Sequence, residues 1–276
     1  MELGKINKLK VVRIQETGYY LSDGIDNEVF LPKEEVEKSL TVEENIEVFI
    51  YNDTDKNFIA TTQIPFIQFE KFAYLKAKKV NKYGAFMDWG MPIDLLIPFD
   101  EQSKRIQENK WYLVFMIKDE RSGRLIGSCK INEFVFFDKI DVKQGDEVEL
   151  LLYEKTDLGM SAIVNNLYKG LIFDSDIHKK LHPGETIKGF VKQVREDGKM
   201  DLLLEPLGYK SSIDKNSQTI LTALKTNDGF LDLTDKSPPE EIKSVLGLSK
   251  KAFKRSLGNL YKQKIVDIYN DGVKLL

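Results

Sequence analysis

A three-position frame occurs three times along the chain and limits its fold more than any other feature. Gly18 is followed fourteen residues on by Pro32 and thirty-one on by Phe49; Gly84 is followed at the same distances by Pro98 and Phe115, and Gly159 by Phe173 and Phe190. No gap is needed to align them. At the middle copy, Tyr83-Gly84-Ala85-Phe86-Met87 opens a short apolar run, a few polar residues turn the chain, and Leu96-Ile97-Pro98 closes a second run. This reads as two strands of a small β-structure joined by a turn. A period of about 70 residues is too long for a solenoid repeat and suits a small domain.

Each copy carries the same succession of strand signals. In the first they are Leu9–Ile14, Gly18–Leu21, Glu28–Leu31, Ile46–Tyr51 and Phe58–Thr62. A short helical excursion through Glu34, Glu35, Val36 and Leu40 follows Pro32. The second copy has Phe72–Val80 and Trp111–Ile117 as first and fourth strands and Arg124–Lys130 as the fifth. The third runs Val148–Tyr153, Gly159–Val164, Lys169–Phe173, Ile187–Val194 and Lys199–Glu205, with Ser175–Leu181 as its helical insert. Five short strands with an insert between the third and fourth specify an oligonucleotide/oligosaccharide-binding (OB) barrel. Phe49, Phe115 and Phe190, on the fourth strand of each copy, are expected in the barrel cores.

After Glu205-Pro206 the periodicity becomes helical. Ile213 to Leu224 has apolar residues at helical spacing and stops at Asn227-Asp228-Gly229. Ser237-Pro238-Pro239-Glu240-Glu241 starts a second helix, with Ser237 as candidate cap. Ser249 caps a third, Lys250 to Lys262. Ile265–Tyr269 and Val273–Leu275 flank Asn270-Asp271-Gly272 as a hairpin. Three helices and a hairpin make a winged helix. The expected fold is therefore mainly β and multidomain: three tandem five-stranded OB barrels over residues 1–63, 64–139 and 140–208, then an α/β winged-helix domain over residues 211–276.

Charge is unevenly shared. The formal net charge of −3 resolves into −6 over residues 1–62, +3 over 63–139, −3 over 140–210 and +3 over 211–276. A chain that coats a polyanion with its whole surface would not divide so; one that grips it with two basic segments would. No signal peptide or membrane-length apolar stretch is read, and one cysteine, Cys129, allows no internal disulfide. The expected compartment is the cytoplasm.

Tyr83 before Gly84-Ala85-Phe86-Met87 resembles the signature of the RNA-binding domains typified by ribosomal protein S1. Three such domains followed by a winged helix resemble, over essentially the whole chain, the bacterial conserved virulence factor B family of RNA-binding regulators. The resemblance implies that an aromatic before the glycine and another two residues after it lie on a barrel face that stacks bases. This chain departs from the S1 pattern in having Pro32, Pro98 and Phe173 where a histidine is often found. The aromatic pair is complete only as Tyr83 and Phe86; Thr17 and Tyr20 keep one ring, and Leu158 and Ser161 keep none.

Unpaired bases expose flat apolar faces, each stacking contact being worth roughly 1–3 kcal/mol, and phosphates need nearby cations. Lys76, Lys78, Lys79, Lys82, Arg121, Arg124 and Lys130 belong to the expected strands and turns around Tyr83 and Phe86. Strand alternation puts Tyr83 and Phe86 out of phase, so one faces the core unless the turn at Gly84 reconciles them. The second candidate surface is the third tail helix. Between Lys243 and Lys264 there are seven basic residues and no acid. Lys250, Lys251, Lys254 and Arg255 gather on one side of that helix, with Lys262 and Lys264 at its end. Backbone contact is expected of it more than base readout.

Catalytic chemistry finds little support. His178 and His182, even with Asp176, read as surface residues; Cys129 has no histidine in its own repeat, and no phosphate loop or dinucleotide fingerprint occurs. The expectation is a non-enzymatic, cofactor-free, metal-free protein that binds single-stranded RNA and regulates gene expression after transcription. The rival readings are a DNA-binding transcription regulator and a scaffold whose acidic first barrel meets the ribosome or other proteins.

Overall fold

The computed structural model describes residues 1–25, 27–53, 55, 57–206, 215–262 and 264–276. Two compact units emerge, Met1–Leu204 and Glu205–Leu276. The first holds three barrels. Strands β1 (Ile6–Gln15), β2 (Gly18–Ser22), β3 (Glu28–Pro32), β4 (Asn45–Asn52) and β5 (Phe58–Thr61) close in the order β1-β2-β3-β5-β4. The middle barrel consists of β6 (Phe72–Asn81), β7 (Gly84–Asp88), β8 (Leu95–Pro98), β9 (Trp111–Lys118) and β10 (Leu125–Ser128), in the order β10-β9-β6-β7-β8. Its end strands pack together: a Cβ at Gly127 would lie 2.9 Å from Cγ1 of Ile97. The third barrel closes from β11 (Glu147–Thr156), β12 (Gly159–Val164), β13 (Tyr168–Phe173), β14 (Thr186–Val194) and β15 (Met200–Leu203).

The repeat frame is a register. Gly18 pairs with Pro32, Gly84 with Pro98 and Gly159 with Phe173 across the second and third strands of their barrels. At Gly84 φ is 144° and at Gly159 it is 150°; a Cβ would stand 2.2 Å from the carbonyl oxygen of Ile97 and 2.0 Å from that of Ile172. Only glycine fits. The residue fourteen on has φ of −58°, −59° and −68° at Pro32, Pro98 and Phe173, close to the angle a proline ring fixes, and a single 3₁₀ turn follows each.

Those turns, Lys33–Glu35, Phe99–Glu101 and Asp174–Asp176, are all that forms of the expected helical inserts. Val36 and Ile177 are already extended. The apolar residues that suggested helix (Val36, Leu40, Ile177, Leu181) pack singly against the barrel cores.

The phenylalanines on the fourth strands are not in the barrel interiors. In β4, Val48 and Ile50 point inward with Leu9, Leu21 and Leu31, while Phe49 and Tyr51 point outward into the core of the middle barrel. There they meet Trp89 edge-on, at centroid distances of 5.8 and 6.3 Å. Phe115 does the same one barrel later, 4.6 Å from Phe72 and 4.4 Å from Phe134, in a cluster with Ile163 of the third barrel. Phe190 is only half-buried. Asn166 clasps the second junction: its Oδ1 accepts from the Phe72 amide at 2.7 Å and its Nδ2 donates to the Glu70 carbonyl at 2.9 Å.

The second unit comprises α1 (Lys215–Thr226), β16 (Phe230–Leu231), α2 (Pro239–Leu246), α3 (Lys250–Lys262), β17 (Val266–Ile268) and β18 (Val273–Leu275). Its core is built on Ile220, Leu224, Ile242, Phe253, Leu257 and Leu260. The expected helix start at Ile213 lies outside the described residues. Strand β16, too short to carry an alternation of its own, pairs with β18 and makes the wing three-stranded where a two-stranded hairpin is expected. Ser249 caps α3, its Oγ accepting from the Ala252 amide at 3.2 Å. Ser237 does not cap α2: its Oγ takes the Thr234 amide, and Pro238 holds the cap position.

Candidate nucleic-acid interface

Each barrel has a bulge in its first strand, between Val11 and Arg13, Ala77 and Lys79, and Leu152 and Glu154. Directly after it, three outward residues line up across the first three strands. They are Arg13, Tyr20 and Phe30 in the first barrel, Lys79, Phe86 and Leu96 in the second, and Glu154, Ser161 and Leu171 in the third. This row differs among the barrels in the properties that matter for binding bases and phosphates.

In the middle barrel, Ala85 and Met87 are buried, while Phe86 between them is half-buried on the outer face. Tyr83, in the turn before β7, is 62% exposed. The backbone at Gly84 resolves the phase conflict, and both rings line one cleft of about 500 Å³. The other walls are Trp89 and Ile93–Leu96, Arg124–Ile126, and Tyr51–Asp53 from the first barrel. The indole N–H of Trp89 donates to the Ile93 carbonyl, fixing that wall.

The cleft mixes charges. Lys82 lies 5.1 Å from the Tyr83 ring centroid, over its face. Lys78, the bulged residue, is tied to Asp94 at 2.7 Å, and that bond raises its pKa. Burial works against the charge of Asp53, yet hydrogen bonds from Asn57 and the Asp55 amide, with the positive charge of Arg124, hold its pKa below the usual value. Burial, and then the charges of Glu35 and Asp53, raise that of the Tyr51 phenol. Of the sequence-predicted cations only Arg124 lines this cleft; Lys78, Lys79 and Lys82 lie beside it, and Lys76, Arg121 and Lys130 stand elsewhere. Lys76 sits between Asp88 and Trp111 on the outer face of the sheet, Arg121 is exposed in the β9–β10 turn, and Lys130 follows β10.

The first barrel's ring is covered. Arg13 stacks on Tyr20 at 3.7 Å from its centroid, held by Glu28 at 2.7 Å, and Phe30 packs 5.3 Å away. In the third barrel, Glu154 and Ser161 replace cation and ring. These pairings leave no mark in the sequence, because residues seven apart meet only once the bulge sets the register.

On the winged helix, Lys251, Arg255, Lys262 and Lys264 are exposed. Lys254 is engaged with Asp235 at 3.3 Å, and Lys250 donates to the Lys236 carbonyl at 3.3 Å. The one-sign stretch in sequence thus meets one acid in space.

His178 and His182 are exposed, and no cluster of metal-binding side chains occurs among the described residues. Cys129 is buried, which pushes its thiol up to about 12. Among the described residues no helix is long and apolar enough to cross a membrane.

Comparison with known proteins matches the geometry at both ends. Residues 3–63 match the family model for an S1 domain, and residues 218–275 match a CvfB-like winged helix domain. Both are domain types that bind nucleic acid. The chain is 28% identical to conserved virulence factor B of Staphylococcus epidermidis (strain RP62A) and 29% identical to that of Staphylococcus aureus (strain USA300), in each case over 99% of this chain and 94% of the relative. A crystal structure of a multidomain protein with nucleic acid binding domains from Streptococcus pneumoniae is 23% identical, covering 99% of this chain and 98% of that one, with a TM-score of 0.45. From its first barrel to its wing, the chain is similar to the conserved virulence factor B proteins.

Proposed function

We propose that this protein binds single-stranded RNA in the cytoplasm, without catalysis, and regulates gene expression after transcription. The observation that carries the reading is the meeting of Tyr83 and Phe86 in one open cleft, with Lys79 across from Phe86 in register and Arg124 in the wall. Two rings on one face, with cations beside them, suit a strand whose bases are unstacked; a duplex hides those faces. The exposed cations of α3 add backbone attraction without reading sequence. The covered ring of the first barrel, and the row of the third with Glu154 and Ser161 in place of cation and ring, favour the middle barrel for base stacking.

Titration of the whole chain with labelled single-stranded RNA and with duplex DNA of matched length, at two salt concentrations, tests this. Tighter binding of the single strand is expected, with affinity falling as salt rises. Preference for the duplex would favour a DNA-binding regulator that uses its winged helix, and no binding of either would favour a scaffold for the ribosome or other proteins.

A further inference from the structure

We propose that the exposed face of Trp111 is a second base-stacking station for the strand that crosses Phe86. The proposal rests on the RNA-binding reading and adds a site outside the S1 signature. Trp111 opens β9 and is 53% exposed. Its indole lies parallel to the Tyr74 ring, with centroids 5.8 Å apart and planes 12° apart. Tyr74 is braced from the third barrel, where a Cβ at Gly184 would fall 2.9 Å from the tyrosine ring. One face of the indole is thus held flat and the other faces solvent, so a base that stacks there need not order a mobile side chain.

The sheet connects this station to the first. Lys76 pairs in register with Asp88 on one side and Trp111 on the other, and Phe86 lies two residues from Asp88 on the same outer face. With strands ~4.8 Å apart and residues ~3.3 Å apart along a strand, the two stations are about 12 Å apart across the face. That separation fits within the ~4–16 nucleotides that one OB barrel engages. Lys76 stands between the rings and exposed Lys110 precedes Trp111, placing cations beside the path; Asp88 is the acid in the row. The occupant that fits a flat apolar face flanked by ammonium groups is an unpaired base with its phosphates.

The chain has two tryptophans and Trp89 lines the first cleft, so the part of an indole emission change on binding that disappears in Trp111→Phe reports on Trp111. Titration of the full chain with a single-stranded RNA of about 12 nucleotides is expected to quench that emission. Trp111→Ala should bind the same RNA roughly 5–150-fold more weakly, and Trp111→Phe, which keeps a ring, should recover most of the difference. Thermal melting identifies any variant that fails to fold, and the emission difference between the parent and Trp111→Phe, which keeps a ring, tests the station without Trp111→Ala. An equal emission change in the parent and Trp111→Phe at saturation, with a folded Trp111→Ala as tight as the parent while Phe86→Ala is weakened, would overturn the second station and leave the RNA reading in place. Failure of the parent to bind any single strand would remove both.

Discussion

Gly84 decides how two rings reach the same cleft. Its left-handed φ and its close approach to the Ile97 carbonyl leave no room for a side chain, so Gly84→Ala should cost about 1–3 kcal/mol of stability, read by denaturant unfolding. Phe86→Ala and Tyr83→Ala should behave oppositely: melting nearly unchanged, because neither ring is in a core, and single-strand affinity lower by roughly 1–3 kcal/mol each. Tyr20→Ala should change RNA affinity little, since Arg13 already covers that ring. Cys129 provides a control on folding. With its thiol at about 12, an alkylating reagent at pH 8 should leave the native chain unmodified and label it only after denaturation. The glycines and prolines of the frame are legible in the sequence because they are backbone requirements. Which side of the sheet Phe49 and Phe115 occupy is not, because alternation separates two faces without telling what covers them.

At the scale of elements, the strands are legible and the inserts are not. Alternating β-branched and aromatic residues fix a strand from within, whereas the few apolar residues after Pro32 or Phe173 satisfy either a helix or an extended segment laid against the barrel. Helix α3 is legible in its cap, its apolar face and its basic face, but not in its partners: Asp235 comes from outside the helix. The four cations are therefore unequal. Replacing Lys251 and Arg255 by Gln should weaken RNA binding and flatten its salt dependence by up to ~0.7 for each phosphate no longer neutralised, more than replacing Lys250 and Lys254 does. Binding isotherms across a salt series give both slopes. Equal slopes in all variants would show this helix to be ordinary solvated surface.

At the scale of the molecule, the barrels are joined by aromatic clusters, not by linkers alone. Trp89 is shared between two barrels, so Trp89→Ala should cost about 3–5 kcal/mol and lower the melting of both together, while Tyr83→Ala leaves it unchanged. Single-transition melting of the parent, measured by calorimetry, is the companion observation. The same joints impose an order in time. As the chain is synthesised, the first barrel can close while Phe49 and Tyr51 still face water, and Trp89 is added forty residues after Phe49. At ~5–20 residues per second that is an interval of about 2–8 s in which an adhesive aromatic face is exposed. Phe115 then waits for Ile163 in the same way. Each of the first two barrels is finished by the next, and the interval before that next barrel arrives is when a chaperone would find the most to hold.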